Sequence, residues 1–238
     1  MCETCGCGGG NVIPVEIREN LLAENDRAAG HNREHFHRHR VTAVNLMGSP
    51  GSGKTALLEA TARAGGGRAL AAVSGDLATD RDADRLRQAG IQSQSITTGS
   101  ACHLDARLVH RALHGVKLAG VDYFFIENVG NLVCPAIFDL GQTANVVALA
   151  VTEGEDKPLK YPVMFQHVDL VILTKLDLLP HLPGVTADAY ERSLRQVAPA
   201  VPLIGVSAVA GTGMQEWLGW LDARRAEVTA AASLADPR

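Results

Sequence analysis

Three cysteines near the amino terminus have the residue types and the spacing of a metal-binding group. Cys2, Cys5 and Cys7 combine a CxxC with a CxC and precede three glycines, in a chain that has only five cysteines. Soft thiolate sulfurs, with the terminal amine nearby, suit square-planar Ni(II) or Cu(II) as well as tetrahedral Zn(II). We therefore predict a metal site in this tail. A redox-active cysteine pair or a chance cluster is the alternative interpretation.

A second motif predicts a phosphate-binding loop. The P-loop pattern GxxxxGK[ST] is matched in full between an apolar run and a segment of helical character, by Gly48, Ser49, Pro50, Gly51, Ser52, Gly53, Lys54 and Thr55. Glycine-rich backbone at a helix amino terminus presents N–H groups and a positive dipole end to phosphate oxygens. We expect Lys54 to bridge the β- and γ-phosphates, and the Thr55 hydroxyl to bind magnesium.

The segment TKLD at 174–177 indicates which base is bound, because it is similar to the guanine-reading pattern Asn-Lys-x-Asp. The Asp177 carboxylate can accept hydrogen bonds from guanine N1–H and the exocyclic amino group, an arrangement that adenine does not offer. Lys175 would lie over the base, and Thr174 replaces the usual asparagine. After the last strand GTPases place a backbone amide on the guanine oxygen, and the corresponding residues here are Ser207 and Ala208. GTP is the expected nucleotide.

Two acidic segments follow apolar runs and are candidates for sensing the γ-phosphate. Glu127 ends one run and precedes Gly130, so its carboxylate can hold magnesium through water while the Gly130 amide contacts the phosphate. Asp76 follows another run and is the candidate for orienting the attacking water or the magnesium shell, with a turn or helix-capping aspartate as the alternative. No glutamine directly follows Gly130, so we expect slow unaided hydrolysis.

The remaining cysteines suggest a second metal site, linked to the nucleotide. Cys102 is followed by His103, and Cys134 lies just beyond Gly130. Either cysteine taken alone is more typical of a small core residue. Together with His103, on loops expected at the nucleotide end of the sheet, they predict a Cys/His metal site coupled to the nucleotide state. Because adjacent residues rarely ligate one ion, Cys102 and His103 can serve two ions or a site completed by a second subunit.

The apolar runs and the helical stretches between them predict the elements that position these groups. Strands are expected at 41–47, 69–73, 123–126, 146–151, 168–173 and 203–206. Helices are expected at 55–64, 81–89, 104–118 and 186–197, and from residue 214 into the alanine-rich end. Near-continuous apolar strands that alternate with helices indicate an α/β fold, a mostly parallel sheet covered by helices on both faces.

The first part of the chain differs from the rest, and we predict a tail and linker at 1–39 followed by a GTPase domain at 40–238. A helix over part of 15–29 is compatible with the sequence, but the tail as a whole is expected to be flexible. It contains a histidine run: His31, His35, His37 and His39. A solvated linker is the favoured interpretation of this run, and metal binding there would be auxiliary.

Composition excludes several classes of protein. A chain of 238 residues with 46% hydrophobic and 20% charged residues is typical of a globular domain with an appendage. The net charge of −4 favours no nucleic-acid partner, and no apolar run is long enough to span a membrane. The start lacks the features of a signal peptide. Cysteines arranged as ligands rather than as a disulfide framework favour a cytoplasmic location.

Five of these segments together resemble one family. They are MCxxCGC at the start, GSPGSGKT, GDxxTxxD, CHLDA and ENVGNLVCP, and they spread from residue 1 to beyond residue 130. The chain resembles HypB, the nickel-incorporation GTPase of NiFe hydrogenase maturation, a SIMIBI-class P-loop GTPase. The resemblance extends to about residue 220, and the last two segments are specific to this family.

The resemblance implies particular ligands and partners. It implies a tail nickel site at Cys2, Cys5 and Cys7, and a nickel or zinc site at Cys102, His103 and Cys134 at or near a subunit interface. It further implies that the protein forms a homodimer on GTP binding, works with a HypA-type nickel accessory protein and delivers nickel to the hydrogenase large-subunit precursor.

Three other functions compete with this one. A related GTPase chaperone for another nickel enzyme such as urease would share most of the sequence features described above. The amino-terminal cysteines and the segment CHLDA argue against this alternative. A small-molecule kinase would prefer ATP and need an acceptor pocket, and the sequence supports neither. A metal-storage protein with a vestigial GTPase would not need intact Lys54, Thr55 and Asp177.

Overall fold

A seven-stranded parallel sheet forms the centre of the fold in the computed structural model, with strand order β3-β2-β4-β1-β5-β6-β7. The structure describes residues 15–76, 80–99, 103–133, 135 and 137–235, with the backbone alone at 15–21 and 234–235. The strands are β1 (Thr42–Met47), β2 (Leu70–Asp76), β3 (Gln92–Thr97), β4 (Tyr123–Glu127), β5 (Ala144–Ala150), β6 (Leu170–Thr174) and β7 (Leu203–Gly205).

Helices cover both faces of this sheet, as predicted for an α/β P-loop fold. They are α1 (Val15–Arg38), α2 (Lys54–Ala64), α3 (Arg81–Gln88), α4 (Ala106–Leu113), α5 (Lys157–Lys160), α6 (Pro162–Gln166), α7 (Ala187–Val197) and α8 (Met214–Ala235). A 3-10 helix occupies Leu176–His181. Among the helices that the structure describes, none is long and apolar enough to cross a membrane.

Alternation along the buried strands divides the core between the two faces. In β4, Tyr123 and Phe125 pack with Trp217 of α8, while Phe124 and Ile126 pack with Phe36 of α1 on the other side. Successive side chains of a strand point to opposite faces, so a strand with helices on both sides is apolar along most of its length. This is the reason why six of the strands were recognisable as apolar runs in the sequence.

One strand and one helix boundary differ from the sequence-based expectation, and the short helices α5 and α6 were not predicted. Strand β3 was missed because its sequence, QSQSIT, alternates exposed glutamines with small buried residues and forms the edge of the sheet. Helix α4 is shorter than the predicted 104–118. Asp105 is extended (φ −104°, ψ 165°) and its carboxylate accepts a hydrogen bond from the Leu108 N–H at 2.7 Å, so the helix begins after this capping residue.

Helix α1 corrects the expectation that the histidine run is a solvated linker. The run continues the helix as far as Arg38, because Asn25, Ala29, Asn32 and Phe36 recur at helical spacing and are buried on one face. The tail cysteines and the rest of residues 1–14 lie outside the described residues. The domain boundary at 39 and 40 stays a prediction.

Two buried asparagines fasten α1 to the domain. The Asn25 side-chain oxygen accepts the Ala106 N–H at 2.9 Å, at the start of α4. The Asn32 amide donates to the carbonyl oxygens of Ala106 at 2.9 Å and Leu140 at 3.1 Å. Buried backbone groups that are not paired within a helix or sheet need such partners. Helix α1 is therefore held in a defined register against α4 and the loop before β5.

We predict that Asn32→Ala lowers the free energy of unfolding by about 2–3 kcal/mol, because it leaves two buried carbonyl groups without these donors. Urea denaturation followed by circular dichroism measures the change. Arg33→Ala is the control: its ion pair with Asp139 (2.7 Å) is largely exposed, so the cost should be about 0–1 kcal/mol. Equal losses in the two variants would contradict the anchoring role of Asn32.

Candidate nucleotide-binding site

The P-loop connects β1 to α2 at the carboxyl end of the sheet, and its path depends on glycine. Gly48, Gly51 and Gly53 have φ values of 149°, 75° and 91°. A Cβ atom at Gly48 would lie 2.4 Å from the carbonyl oxygen of Ala148 on the neighbouring strand. Only glycine fits such a position, so the pattern recognised in the sequence has the backbone that a phosphate cradle requires.

Lys54 is held inside this loop. Its ammonium donates to the carbonyl oxygens of Gly48 at 3.1 Å and Ser49 at 3.2 Å, and the residue is buried. Burial lowers the pKa of Lys54, and the nearby Glu127 carboxylate acts in the opposite direction. Ser52 Oγ is buried beside the loop without a hydrogen-bond partner among the described residues. A lysine and a hydroxyl so placed suit an anionic ligand with several oxygens.

Glu127 is the buried centre of the site. Its two carboxylate oxygens accept hydrogen bonds from Thr55 Oγ1 at 2.6 Å and from Ser74 Oγ at 3.0 Å. Burial raises the pKa of Glu127, and the hydrogen bond from Thr55 partly offsets this. A hydroxyl and a carboxylate in contact are hard oxygen donors of the kind that Mg²⁺ takes beside nucleotide phosphates, so these residues fit the predicted magnesium site.

The loop after β4 lies directly against the P-loop. The Asn131 N–H donates to the Gly48 carbonyl oxygen at 3.1 Å, which forms an isolated antiparallel bridge. A Cβ atom at Gly130 would lie 2.8 Å from the Pro50 nitrogen. The structure thus brings Gly130 next to the phosphate cradle, where its amide was expected.

Sequence reasoning placed Glu127 and Asp76 at this end of the sheet and missed two other residues, Asp82 and Ser74. Asp76 ends β2, beside β4, and its carbonyl oxygen accepts the Thr98 N–H at 3.0 Å. Asp82 of α3 acts electrostatically on both Glu127 and Lys54. The final aspartate of the GDxxTxxD segment could have indicated Asp82, whereas Ser74 lies in an apolar run and had no such signal.

The predicted guanine-reading residues meet at the ends of β6 and β7. Ser207 Oγ donates to Asp177 Oδ1 at 2.5 Å and accepts the Ala210 N–H at 3.0 Å. This pair fixes the direction of the Asp177 carboxylate, an arrangement that the sequence did not reveal. Lys175 adopts a left-handed conformation (φ 62°), and Ala208 follows Ser207 directly.

Thr174 connects this half of the site to the phosphate cradle. Its hydroxyl donates to the carbonyl oxygen of Ser52 at 2.6 Å, and the side chain is buried. A Cβ atom at Gly53 would lie 3.6 Å from the same hydroxyl. The residue that stands in place of the usual asparagine therefore positions the P-loop.

His103 is the one predicted ligand of the second metal site that the structure describes, since Cys102 and Cys134 lie outside the described residues. It is buried and stacks on Phe138 with ring centroids 4.0 Å apart. Burial lowers the pKa of His103, opposed by Asp105. Among the described residues, no three His, Cys, Asp or Glu side chains already surround a common metal position.

The comparisons agree with this geometry. A family profile described as "CobW/HypB/UreG, nucleotide-binding domain" matches residues 42–204. The hydrogenase maturation factor HypB of Azotobacter chroococcum mcd 1 is 50% identical over 214 residues, which is 89% of this chain and 69% of that protein. The hydrogenase/urease maturation factor HypB of Helicobacter hepaticus is 40% identical over 221 residues, 91% of this chain and 90% of that protein.

A solved structure agrees as well. The crystal structure of HypB from Helicobacter pylori in complex with nickel has a TM-score of 0.82 and 38% identity, covering 86% of this chain and 96% of that one. The parallel sheet, the glycine-dependent loop and the buried Lys54, Thr55 and Glu127 define a P-loop nucleotide-binding protein. Within that class, the profile and the relatives show that the chain belongs to the HypB family.

We predict that Glu127→Gln leaves stability at neutral pH unchanged or higher while weakening Mg²⁺-dependent nucleotide binding by roughly 10–100-fold. A pKa raised in the folded state adds stability at low pH that is lost as the pH rises through it, so glutamine removes a cost at neutral pH. Thermal melts across pH 4–8 and nucleotide titrations with and without Mg²⁺ measure both effects.

Glu216→Gln, at an exposed position of α8, is the matched control and should change neither quantity. A Glu127→Gln variant that melts well below the wild type at neutral pH would show that the charged carboxylate is a net stabiliser, against this interpretation.

Proposed function

We propose that this chain is a GTP-hydrolysing nickel chaperone that delivers nickel to the large-subunit precursor of a NiFe hydrogenase. The observation that carries the proposal is the contact of Thr55 with Glu127 beside Lys54, in a member of the HypB family. Relatives named as hydrogenase maturation factors, and one solved in complex with nickel, support the client and the cargo.

The chain's own residues account for slow phosphoryl transfer to water. Backbone N–H groups of the P-loop and the Lys54 ammonium would hold the β- and γ-phosphates, while Thr55 and Glu127 would hold magnesium, which neutralises developing charge. Asp76 is our candidate for orienting water or the magnesium shell. Positioning and electrostatics dominate such reactions, so a site without a dedicated glutamine after Gly130 is expected to turn over slowly.

Guanine selectivity rests on the oriented carboxylate of Asp177. Ser207 holds one oxygen, and a carboxylate fixed in this way can receive both N–H donors of the guanine edge. Lys175 would cover the base, and the amide of Ala208 would face the guanine oxygen. A site built for such hydrogen bonds rejects a ligand that leaves them unmade.

We predict that Asp177→Asn reverses the preference from GTP to xanthosine triphosphate, because the amide supplies the donor that the xanthine oxygen needs. The ratio of kcat/KM for GTP to kcat/KM for xanthosine triphosphate should fall by about 100-fold or more, because buried polar groups left without their partners cost this much. Asp156→Asn, whose carboxylate is exposed in an ion pair with Lys160, should hydrolyse GTP as the wild type does. Equal hydrolysis of ATP and GTP by the wild type would reject guanine recognition.

Nickel would be carried by two groups of ligands. Cys2, Cys5 and Cys7 form the proposed tail site, and His103 with Cys102 and Cys134 forms the proposed switch-linked site, for nickel or zinc. The lowered pKa of His103 supports this role, because the neutral imidazole is the form that binds metal.

Asn128 offers a direct route between the nucleotide and the switch-linked site. Its side-chain oxygen accepts the Val129 N–H at 3.0 Å and the Leu104 N–H at 3.1 Å. Val129 precedes Gly130 at the phosphate cradle, and Leu104 follows His103. A shift of the loop after β4 on GTP hydrolysis would therefore displace the segment that contains His103.

Asn128→Ala should abolish this coupling. We expect the wild type to bind Ni(II) with affinities that differ by about 5-fold or more between its GDP-bound and GTP-analogue-bound forms, the usual lower range of coupling between sites, and the variant to show one affinity. Calorimetric titration of Ni(II) into the GDP-bound and GTP-analogue-bound forms measures these affinities.

Asn45→Ala is the matched control, since it removes a neighbouring buried amide that pairs with Asn128 at 3.1 Å but touches neither loop N–H. If nickel affinity in the wild type is the same with either nucleotide, the coupling does not exist. If both variants lose it equally, Asn128 is not its route.

A GTP-dependent homodimer is part of the proposal. Val133 and Ile137 lie on either side of Cys134 in the sequence and are 55% and 46% exposed, so their apolar side chains are available to a partner surface. A second copy covering them would complete a Cys/His site at the interface. A HypA-type nickel accessory protein is the proposed partner, and the cytoplasmic location stays a prediction.

A second client deserves consideration because of one relative. The Helicobacter hepaticus protein is named as a hydrogenase/urease maturation factor, which supports urease as an alternative recipient of the nickel. A storage protein with a vestigial GTPase is the remaining alternative, and it predicts no hydrolysis of GTP.

A further inference from the structure

Helices α1 and α4 together build a histidine-lined groove that plays no part in the proposed nucleotide or thiolate sites. His35 and His39 contribute from the α1 side, and His110 and His114 from α4 and the residue that follows it. The groove has a volume of about 230 Å³, with leucine and valine side chains forming the remainder of its lining. Four of the nine histidines of the chain are thus brought together from distant parts of the sequence.

His110 lies at the centre of this group. Its ring centroid is 5.5 Å from that of His35 and 5.1 Å from that of His114, while His31 lies further away, at 6.3 Å. Two imidazoles that bind one ion with N–metal distances of about 2.0–2.1 Å have ring centroids roughly 4.5–6 Å apart. Both ring pairs that include His110 therefore already have the separation that a shared ion requires.

The hydrogen bond of His110 fixes the nitrogen that would bind metal. His110 Nδ1 lies 2.9 Å from Asn32 Oδ1. Because the Asn32 amide nitrogen donates to two backbone carbonyls, its oxygen must be the acceptor, and Nδ1 must carry the proton. The unprotonated Nε2 of His110 is left with its lone pair, and a ligating histidine that donates its other N–H to an oxygen is the common arrangement in metal sites.

From this geometry we propose that His35, His110 and His114 form a site for a divalent transition-metal ion of the nickel and zinc class, distinct from both cysteine-containing sites. Imidazole nitrogens suit Zn(II), Cu(II) and Ni(II) alike. The rings are not yet aimed at one point, since the described residues hold no preformed group of three donors. His114 is exposed and His35 is half-buried, so both can rotate toward the Nε2 of His110.

The surroundings agree with binding near neutral pH. Burial, with the neighbouring imidazoles of His114, His35 and His31, lowers the pKa of His110. Burial followed by the charge of Arg38 lowers the pKa of His35, and Glu34 acts in the opposite direction. Neutral imidazoles are the metal-binding form, so protons compete less with an ion here than at an ordinary histidine.

Equilibrium dialysis of the full-length chain against NiCl₂ tests the proposal. The double variant His35→Ala/His110→Ala should bind one Ni(II) ion fewer per chain than the wild type, without loss of the thiolate-to-nickel charge-transfer absorption of the cysteine sites. The control is His37→Ala, on the same helix but exposed and away from the groove, which should keep every ion.

Folding is checked by circular dichroism in EDTA. If the alanine variant does not fold, the His35→Gln/His110→Gln pair, which keeps polar side chains, carries the same test. Ni(II) should also raise the Tm of the wild type more than that of the folded variant, because an ion bridging α1 and α4 stabilises only the native state. Unchanged stoichiometry in the variants, or an equal loss in His37→Ala, would overturn the proposal. The experiment measures bound nickel and not GTP hydrolysis, so a failure of this proposal can be distinguished from a failure of the proposed function.

Discussion

The buried carboxylate of Glu127 is the constraint on which the rest of the site depends. A charged group in the core is tolerated only when it is well hydrogen-bonded, and here hydroxyls from two other elements, Thr55 of α2 and Ser74 of β2, supply those bonds. The same contacts join the end of β4 to β2 and to the start of α2, directly after the P-loop lysine. The burial of Glu127 costs free energy of folding, and the same burial positions the groups that would bind magnesium and phosphate.

A second chain of buried polar groups runs across the sheet from this point. Asn145 of β5, Asn45 of β1 and Asn128 after β4 are linked by side-chain hydrogen bonds of 3.0 and 3.1 Å. Hydrogen bonds between side-chain amides are strongly directional, so these contacts favour one arrangement of the strands. Its last member, Asn128, also accepts the N–H groups of Val129 and Leu104, which is the connection on which the proposed coupling between nucleotide and metal depends.

Much of this could be predicted from the sequence, for physical reasons. Strands buried on both faces are mostly apolar, and a phosphate cradle needs glycine at fixed positions, so both leave strong local signals. The edge strand β3 and helix α1 were harder because their buried faces are polar or small: serines in β3, and Asn25 and Asn32 in α1. The partners of those asparagines lie 74 to 114 residues away in the chain, and no local pattern shows such pairings. The Ser207–Asp177 and Ser74–Glu127 contacts were hidden for the same reason.

The strand order has an evolutionary consequence. The proposed base-recognition residues lie at and after the ends of β6 and β7 at one edge of the sheet, whereas His103 and the histidine groove lie on the opposite half, around β3, β2 and α4. The strands β4, β1 and β5 and the P-loop lie between the two halves. Mutations that change base specificity can accumulate at one edge of the sheet while the metal-binding residues diverge independently at the other. The same fold can therefore evolve to serve a new recipient protein without any change in the nucleotide that it binds.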